Sequence, residues 1–160
     1  MSVAFRRDGD EEHLEPKFEI PIPPGPNLVT PDGQALIDTK VEQITAAVAA
    51  LVAAGAEQPQ IDKARRDLRY WQTRQITAEL VPVPGGETVE IGTRVTFRHN
   101  GQVTRVPISG DDEADPAAGR IAFSAPLARA LLGAEPGELL AFAERPDALE
   151  VLTISATFSA

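Results

Sequence analysis

Cysteine is absent from the 160 residues, which excludes disulfide staples and thiolate metal sites and fits a reducing compartment. Aromatic residues are scarce at 5%. With alanine plentiful in the middle of the chain, this points to helices packed through small side chains rather than one large aromatic core. No run approaches the ~20 apolar residues that a helix needs to cross a bilayer. The opening MSVAFRRDGDEEHLEP has charge after its two arginines where a secretory signal needs an apolar stretch. A soluble, cytoplasmic chain without membrane contact is therefore expected. Basic residues are also in deficit: 15 Lys and Arg against 24 Asp and Glu leave a formal charge of −9. That balance argues against the chain as a whole being a nucleic-acid binder, because phosphate contact needs a basic surface. The two histidines, His13 and His99, neighbour no nucleophile constellation and are read as surface residues.

What is present is enough for one domain or two small ones, with a hydrophobic share of 42% that can fill a core. Residues 1–29 read as an extended, proline-rich arm, since five prolines from Pro16 to Pro26 remove donors and fix φ. Phe18, Ile20 and Ile22 alternate, so the arm either lies along a groove or is a free tail. Thr30-Pro31-Asp32 predicts a helix start, with a capping hydroxyl, a proline in the first turn and an acidic residue at the positive end of the dipole. Ile37, Val41, Ile44, Val48 and Leu51 follow at the four-three spacing of a coiled-coil seam. GAEQPQ, residues 55–60, is turn chemistry with Pro59 as a breaker. A second helix is predicted from about Ile61 to Leu80, with Ala64, Leu68, Trp71, Ile76 and Leu80 continuing an apolar face. The short connection makes residues 30–80 an antiparallel helical hairpin.

Residues 81–87, VPVPGGE, read as a linker. From residue 88 to residue 160 the pattern changes to short β-rich runs at 89–97, 102–108, 121–123, 139–142 and 149–157. Asn100-Gly101 is a hairpin signal, and SAPLARALL, residues 124–132, is a short helix ended by Gly133. Strands with one inserted helix give an α+β protein, the C-terminal part antiparallel.

Three clusters are candidates for function. Glu57 and Asp62 bracket the hairpin tip. A catalytic Mg²⁺ there would need clustered oxygen ligands, whereas these two stand five apart with a proline between them, as ordinary loop charges do. Lys63, Arg65, Arg66, Arg69 and Arg74 form a basic stretch that either meets RNA or an acidic wall, or is a solvated face. Arg65 and Arg69 repel at i,i+4 while Asp62 and Arg66 attract. Asp111, Asp112, Glu113 and Asp115 crowd one loop beside Gly110, suited to steering toward a basic partner patch or to a solvated turn.

ISGDDEADPAAGRIAFSAPLARALLGAEPGE, residues 108–138, resembles the signature of the Gre factor C-terminal domain. Gly110, Glu113-Ala114-Asp115, Gly119, Ile121, Pro126-Leu127-Ala128, Ala130-Leu131-Leu132-Gly133 and Gly137 stand where that pattern places them. Leu28 to Gly33 resembles the family's helix-opening motif, and SVAF near the start resembles the arm of one Gre-like subgroup. Ala122 and Ala125 replace serines usual in the pattern. The resemblance, to GreA/GreB-type transcript cleavage factors, implies a coiled-coil hairpin followed by an FKBP-like domain. It implies a partner, bacterial RNA polymerase, docked at the rim of the secondary channel through Asp111, Asp112, Glu113, Asp115, Pro126 and Leu127, with RNA or DNA near only through the polymerase. Cleavage-competent members hold Mg²⁺ with a tip aspartate and glutamate about three residues apart; no such D-x-x-E stands here. The hairpin is also shorter, as in Rnk-type relatives. The expectation is a monomeric, non-enzymatic elongation regulator that takes no cofactor and does not stimulate cleavage. The alternatives are an active cleavage factor using Glu57 and Asp62, or an interaction module that no longer binds polymerase.

Overall fold

The computed structural model describes residues 18–160; the expectations for His13, for SVAF and for the first part of the arm lie outside the described residues. Strand β1 (Asn27–Val29) leads into helix α1 (Pro31–Ala53), which returns as helix α2 (Gln58–Thr77) and strand β2 (Ala78–Leu80). There follow β3 (Thr93–His99), β4 (Gln102–Ser109), a 3₁₀ turn (Pro116–Ala118), β5 (Ile121–Ala122), α3 (Pro126–Leu131), β6 (Leu139–Phe142) and β7 (Arg145–Ala156). The fold is α+β: a two-helix hairpin on a five-stranded sheet carrying one short helix.

Helix α1 starts where the caps predict. Thr30 is extended and its hydroxyl accepts from the Gly33 amide at 3.2 Å, with proline in the first turn. Its 23 residues make a rod of ~35 Å at 1.5 Å per residue. The tip is a Schellman turn. Gly55, at φ +63°, follows the Ala54 cap, the Ala56 amide donates to the Leu51 carbonyl, and the Gly55 amide donates to Val52. The connection is therefore tighter than the sequence predicts. Pro59 does not break the helix but sits in the first turn of α2, where a missing amide costs nothing. Along the seam Ile37 and Ile61 are buried, and Val41, Ile44, Val48, Leu51, Ala64, Leu68 and Trp71 are half-buried, as two helices without a third layer allow. Asp38 fastens the two, accepting from Gln34 of its own helix and from Gln75 of α2 at 2.9 Å.

The base of the hairpin differs from the predicted arm and helix end. β1 pairs in parallel with β2, Asn27 opposite Ala78 and Val29 opposite Leu80, and the Val81 amide donates to the Val29 carbonyl. The Asn27 amide group donates to the Arg74 carbonyl at 2.8 Å and to the Thr77 hydroxyl at 3.2 Å. These bonds draw the chain out of the helix after Thr77 and put Leu80 on a strand, 61% exposed; Ile76, still within α2, is 83% exposed, so neither continues the expected apolar face. Before β1, Phe18, Ile20 and Ile22 are all exposed rather than seated in a groove.

The second sheet has the order β5-β4-β3-β7-β6, antiparallel except for the β4–β5 pair. Thr93, Val95 and Phe97 face inward along β3 while Arg94 and Arg98 face out, the period of two that sets one buried face. With Val106, Ile108, Leu149 and Val151 they build the core, and Ala128 and Leu131 of α3 close it. Asn100 and Gly101, at φ +50° and +75°, make the predicted β3–β4 turn. β3 begins at Thr93 rather than Val89 because Gly92, at φ +89°, bends the chain; Val89 instead exchanges bonds with Gly133 and Ala134 beyond α3.

Candidate functional site

The acidic loop after β4 lies against the base of the hairpin, and most of its carboxylates are spent there. Asp112 accepts from Arg74 Nε at 2.6 Å and from the Tyr70 hydroxyl at 2.5 Å. Arg74 is 1% exposed, and its other donor reaches Asn27 Oδ1 at 2.6 Å. Arg74 therefore does not belong to the solvent-facing basic stretch that the sequence suggests. Its charge is buried at the junction of β1, α2 and the β4–β5 loop, where an unpaired guanidinium would be costly and a hydrogen-bonded one is tolerated.

Glu113 makes the second tie. Its carboxylate accepts from the Thr30 amide at 3.3 Å, from the Thr30 hydroxyl, and from the Gly110 amide at 3.1 Å. It thereby places a negative group at the positive end of α1. Glycine is needed on both sides. A Cβ on Gly33 would come within 2.3 Å of Glu113 Oε2, and one on Gly110 within 2.5 Å of the Leu28 carbonyl oxygen. Asp111 accepts from the Ser124 hydroxyl and stands 4.0 Å from Arg74. Asp115 caps the 3₁₀ turn by accepting from the Ala118 amide, and it pairs with Arg120 across an isolated bridge. Of the residues expected to dock, Asp115 and Pro126 are exposed, Asp111, Asp112 and Leu127 are half-buried, and Glu113 is buried.

Burial pushes the Tyr70 phenol above its ordinary pKa, and its hydrogen bond to Asp112 and that carboxylate's charge push the same way. Tyr70 and Asn27 were not singled out from sequence, and Thr30 was read as a helix cap but not as a partner of the acidic loop. The signal for Thr30 was present, since it was read as a cap. A lone tyrosine on a helix and an asparagine after prolines carried none.

At the tip, Glu57 is the N-cap of α2 without a side-chain capping bond, and Asp62 accepts from Gln58 at 2.8 Å. Asp62 lies five positions beyond the cap, which is ~140° around the axis at 3.6 residues per turn. Among the described residues no three His, Cys, Asp or Glu side chains gather as a metal site. Lys63, Arg65 and Arg69 are exposed and Arg66 half-exposed on α2, and Arg69 is engaged by Glu19 through bonds of 2.6 and 3.0 Å.

A helical hairpin whose base is clamped by the acidic loop of a curled sheet is thus the class of protein the geometry defines. Residues 84–156, a little under half of the chain, match the family model described as transcription elongation factor, GreA/GreB, C-terminal. The chain is 40% identical over 60 residues to transcription elongation factor GreA of Thermomicrobium roseum. That match spans 37% of this chain and 38% of the relative. GreA factor homolog 1 of Thermus thermophilus is 17% identical, covering 82% of this chain and all of that one (100%), with a TM-score of 0.37. A GreA/GreB factor from Nitrosomonas europaea is 16% identical over 80% of this chain and 98% of its own, with a TM-score of 0.38.

Proposed function

We propose that the chain is a transcription elongation regulator that binds bacterial RNA polymerase at the secondary channel, in the cytoplasm, without stimulating transcript cleavage and without being an enzyme itself. The observation that carries this reading is the make-up of the tip: Glu57 stands at the N-cap position of α2 without a side-chain capping bond, and Asp62, five positions on, is bonded to Gln58. Recruiting Mg²⁺ takes carboxylates that converge within ~2.1 Å of one ion. A rod of ~35 Å with such an end fills a pore without delivering an ion to RNA. Docking falls to the exposed side of the β4–β5 loop and the start of α3, at Asp115, Pro126 and Leu127, while Asp112 and Glu113 hold that loop in shape.

The test is a pull-down with core polymerase followed by RNA cleavage in stalled complexes, with the intact chain and with Glu57→Ala. Polymerase binding with no Mg²⁺-dependent cleavage in either protein is expected. Cleavage that Glu57→Ala abolishes would establish the chain as an active cleavage factor instead, and failure to bind polymerase would leave an interaction module for another partner.

A further inference from the structure

The outward face of the five-stranded sheet is basic, although the chain as a whole carries −9. The strand registers set its side chains in three rows, because residues opposite one another on neighbouring strands share a face. Nearest the Asn100-Gly101 turn, Val103 of β4, Arg98 of β3, Glu150 of β7 and Leu139 of β6 stand side by side. Next come Arg105, Thr96 and Thr153, and then Pro107, Arg94 and Ser155. Three arginines thus share the rows with one carboxylate. Glu150 is bonded to Arg98, while Arg94 and Arg105 are exposed and, among the described residues, have no ion-pair partner.

Composition, borders and size decide what such a face fits. The rows carry arginine and no lysine, together with Val103 and Leu139, which are 58% and 57% exposed. Arginine beside apolar side chains is the make-up of protein contacts, from which lysine is depleted. No aromatic ring lies in the rows, so nucleic-acid bases would find no stacking platform. Asp32 lies with Arg94 in a cleft at one border, and Asp147 with Arg98 in a cleft at the other. A continuous phosphate backbone crossing the face would run into both carboxylates, whereas an acidic patch on a protein can end between them. A second copy fits poorly, because a two-fold contact would set arginine against arginine. The rows also span only ~14 Å along the strands and ~14 Å across four of them. That is ~200 Å², against the ~800 Å² per partner of a stable interface.

We infer that the outward face of β3, β4 and β7 is a docking surface for an acidic patch of another protein. Arg94 and Arg105 bind its carboxylates, and Val103 and Leu139 take an apolar side chain beside them. Arginine suits the task because its planar fork meets a carboxylate with two parallel bonds. Thr96, Thr153 and Ser155 add hydroxyl donors among the guanidinium groups. A contact of this size is brief, and opposite charge speeds the encounter when salt is low. The surface lies on the side of the sheet away from the core that α3 closes, and the start of α3 belongs to the proposed polymerase docking. The inference therefore does not rest on that reading.

Three probes added to the ¹⁵N-labelled full chain test this. One is a peptide of six glutamates ended by two leucines, the second has serines in place of the leucines, and the third is a DNA duplex of ~12 base pairs. At ~0.01 M salt, where charges act over ~30 Å, the leucine peptide should shift amides centred on residues 94–98, 103–107 and 150–155. It should bind roughly fivefold more tightly than the serine peptide, for one apolar side chain partly withdrawn from water, and more tightly than the duplex. Arg94→Glu with Arg105→Glu should weaken its binding by at least ~tenfold. Both residues are exposed, so amides of α3 and of the helix seam should keep their positions, which shows that the fold is intact. No shifts, shifts centred on Lys63, Arg65 and Arg66 of α2, equal affinity for the two peptides, or indifference to the double reversal would overturn the inference. So would a duplex that binds more tightly than the leucine peptide, because the face would then be a site for nucleic acid.

Discussion

Arg74 and Arg98 each meet one carboxylate at close range, and burial separates what the two pairs contribute. Arg98 and Glu150 face each other across β3 and β7 with side chains 47% and 38% exposed, so Glu150→Ala should cost ~0–1 kcal/mol. The side chains of Arg74 and Asp112 are only 2% and 5% exposed. Asp112→Ala leaves the guanidinium buried without its countercharge and should cost ~3–5 kcal/mol. Chemical denaturation of the two variants side by side checks the contrast. Tyr70 is the only tyrosine, so its ionisation can be followed alone by ultraviolet absorbance. Its pKa is raised by burial and by Asp112, so the folded state holds the phenolic proton more tightly than the unfolded state. The corresponding stability is complete below the unfolded value of ~10 and is lost as pH rises through the higher folded value. Folded protein should therefore show no tyrosinate signal at pH values where the denatured chain is already ionised. None of this was legible from sequence. Arg74 stands among five basic residues in twelve positions, which reads as one stripe, and the partners that hold it inside, Asn27 and Asp112, are distant in sequence.

At the scale of elements, the start of α1 and the Asn100-Gly101 turn were legible because local chemistry dictates them: a cap followed by proline, and two residues that tolerate positive φ. The β6–β7 turn was not, because Ala143 and Glu144 adopt φ of +49° and +64° without being glycine or asparagine. The surrounding sheet imposes that conformation against a local cost of ~1–2 kcal/mol per residue. Ala143→Asn with Glu144→Gly should restore the preferred turn and stabilise the protein by ~0.5–1 kcal/mol, read as a raised melting temperature. Helix α3 offers a similar gain. Ala125 occupies its N-cap with extended geometry and no side-chain bond, while Ser124 is spent on Asp111. Ala125→Ser should add a cap and contribute ~1 kcal/mol. The three-residue strands β1 and β2 escaped detection for a different reason. The whole helical hairpin, residues 30–77, lies between them, one follows a proline run, and neither is long enough to show a period.

For the whole molecule, the clamp joins two parts that have separate interiors, a helix seam and a sheet core. Asp112 and Glu113, from the sheet side, hold Arg74, Tyr70 and Thr30 of the hairpin. Replacing both carboxylates by alanine should uncouple the parts. Amide exchange in α1 and α2 should accelerate well beyond that in β3 and β7, whereas in the unaltered chain the two should exchange at comparable rates. The acidic loop was legible as a place of importance, since its spacing carries the family resemblance. Its inward role was not, because sequence does not reveal which carboxylates face a neighbour.

The parallel pairing of β1 with β2 brings the chain into and out of the helical rod at one place. Length can then be altered at the far end without disturbing the foot. Inserting one heptad in α1 and one in α2 keeps the seam in register and extends the probe by ~10.5 Å, as a telescope lengthens on a fixed mount. Depth of penetration into a partner is thus a property that insertions and deletions tune separately from the grip that holds the chain in place.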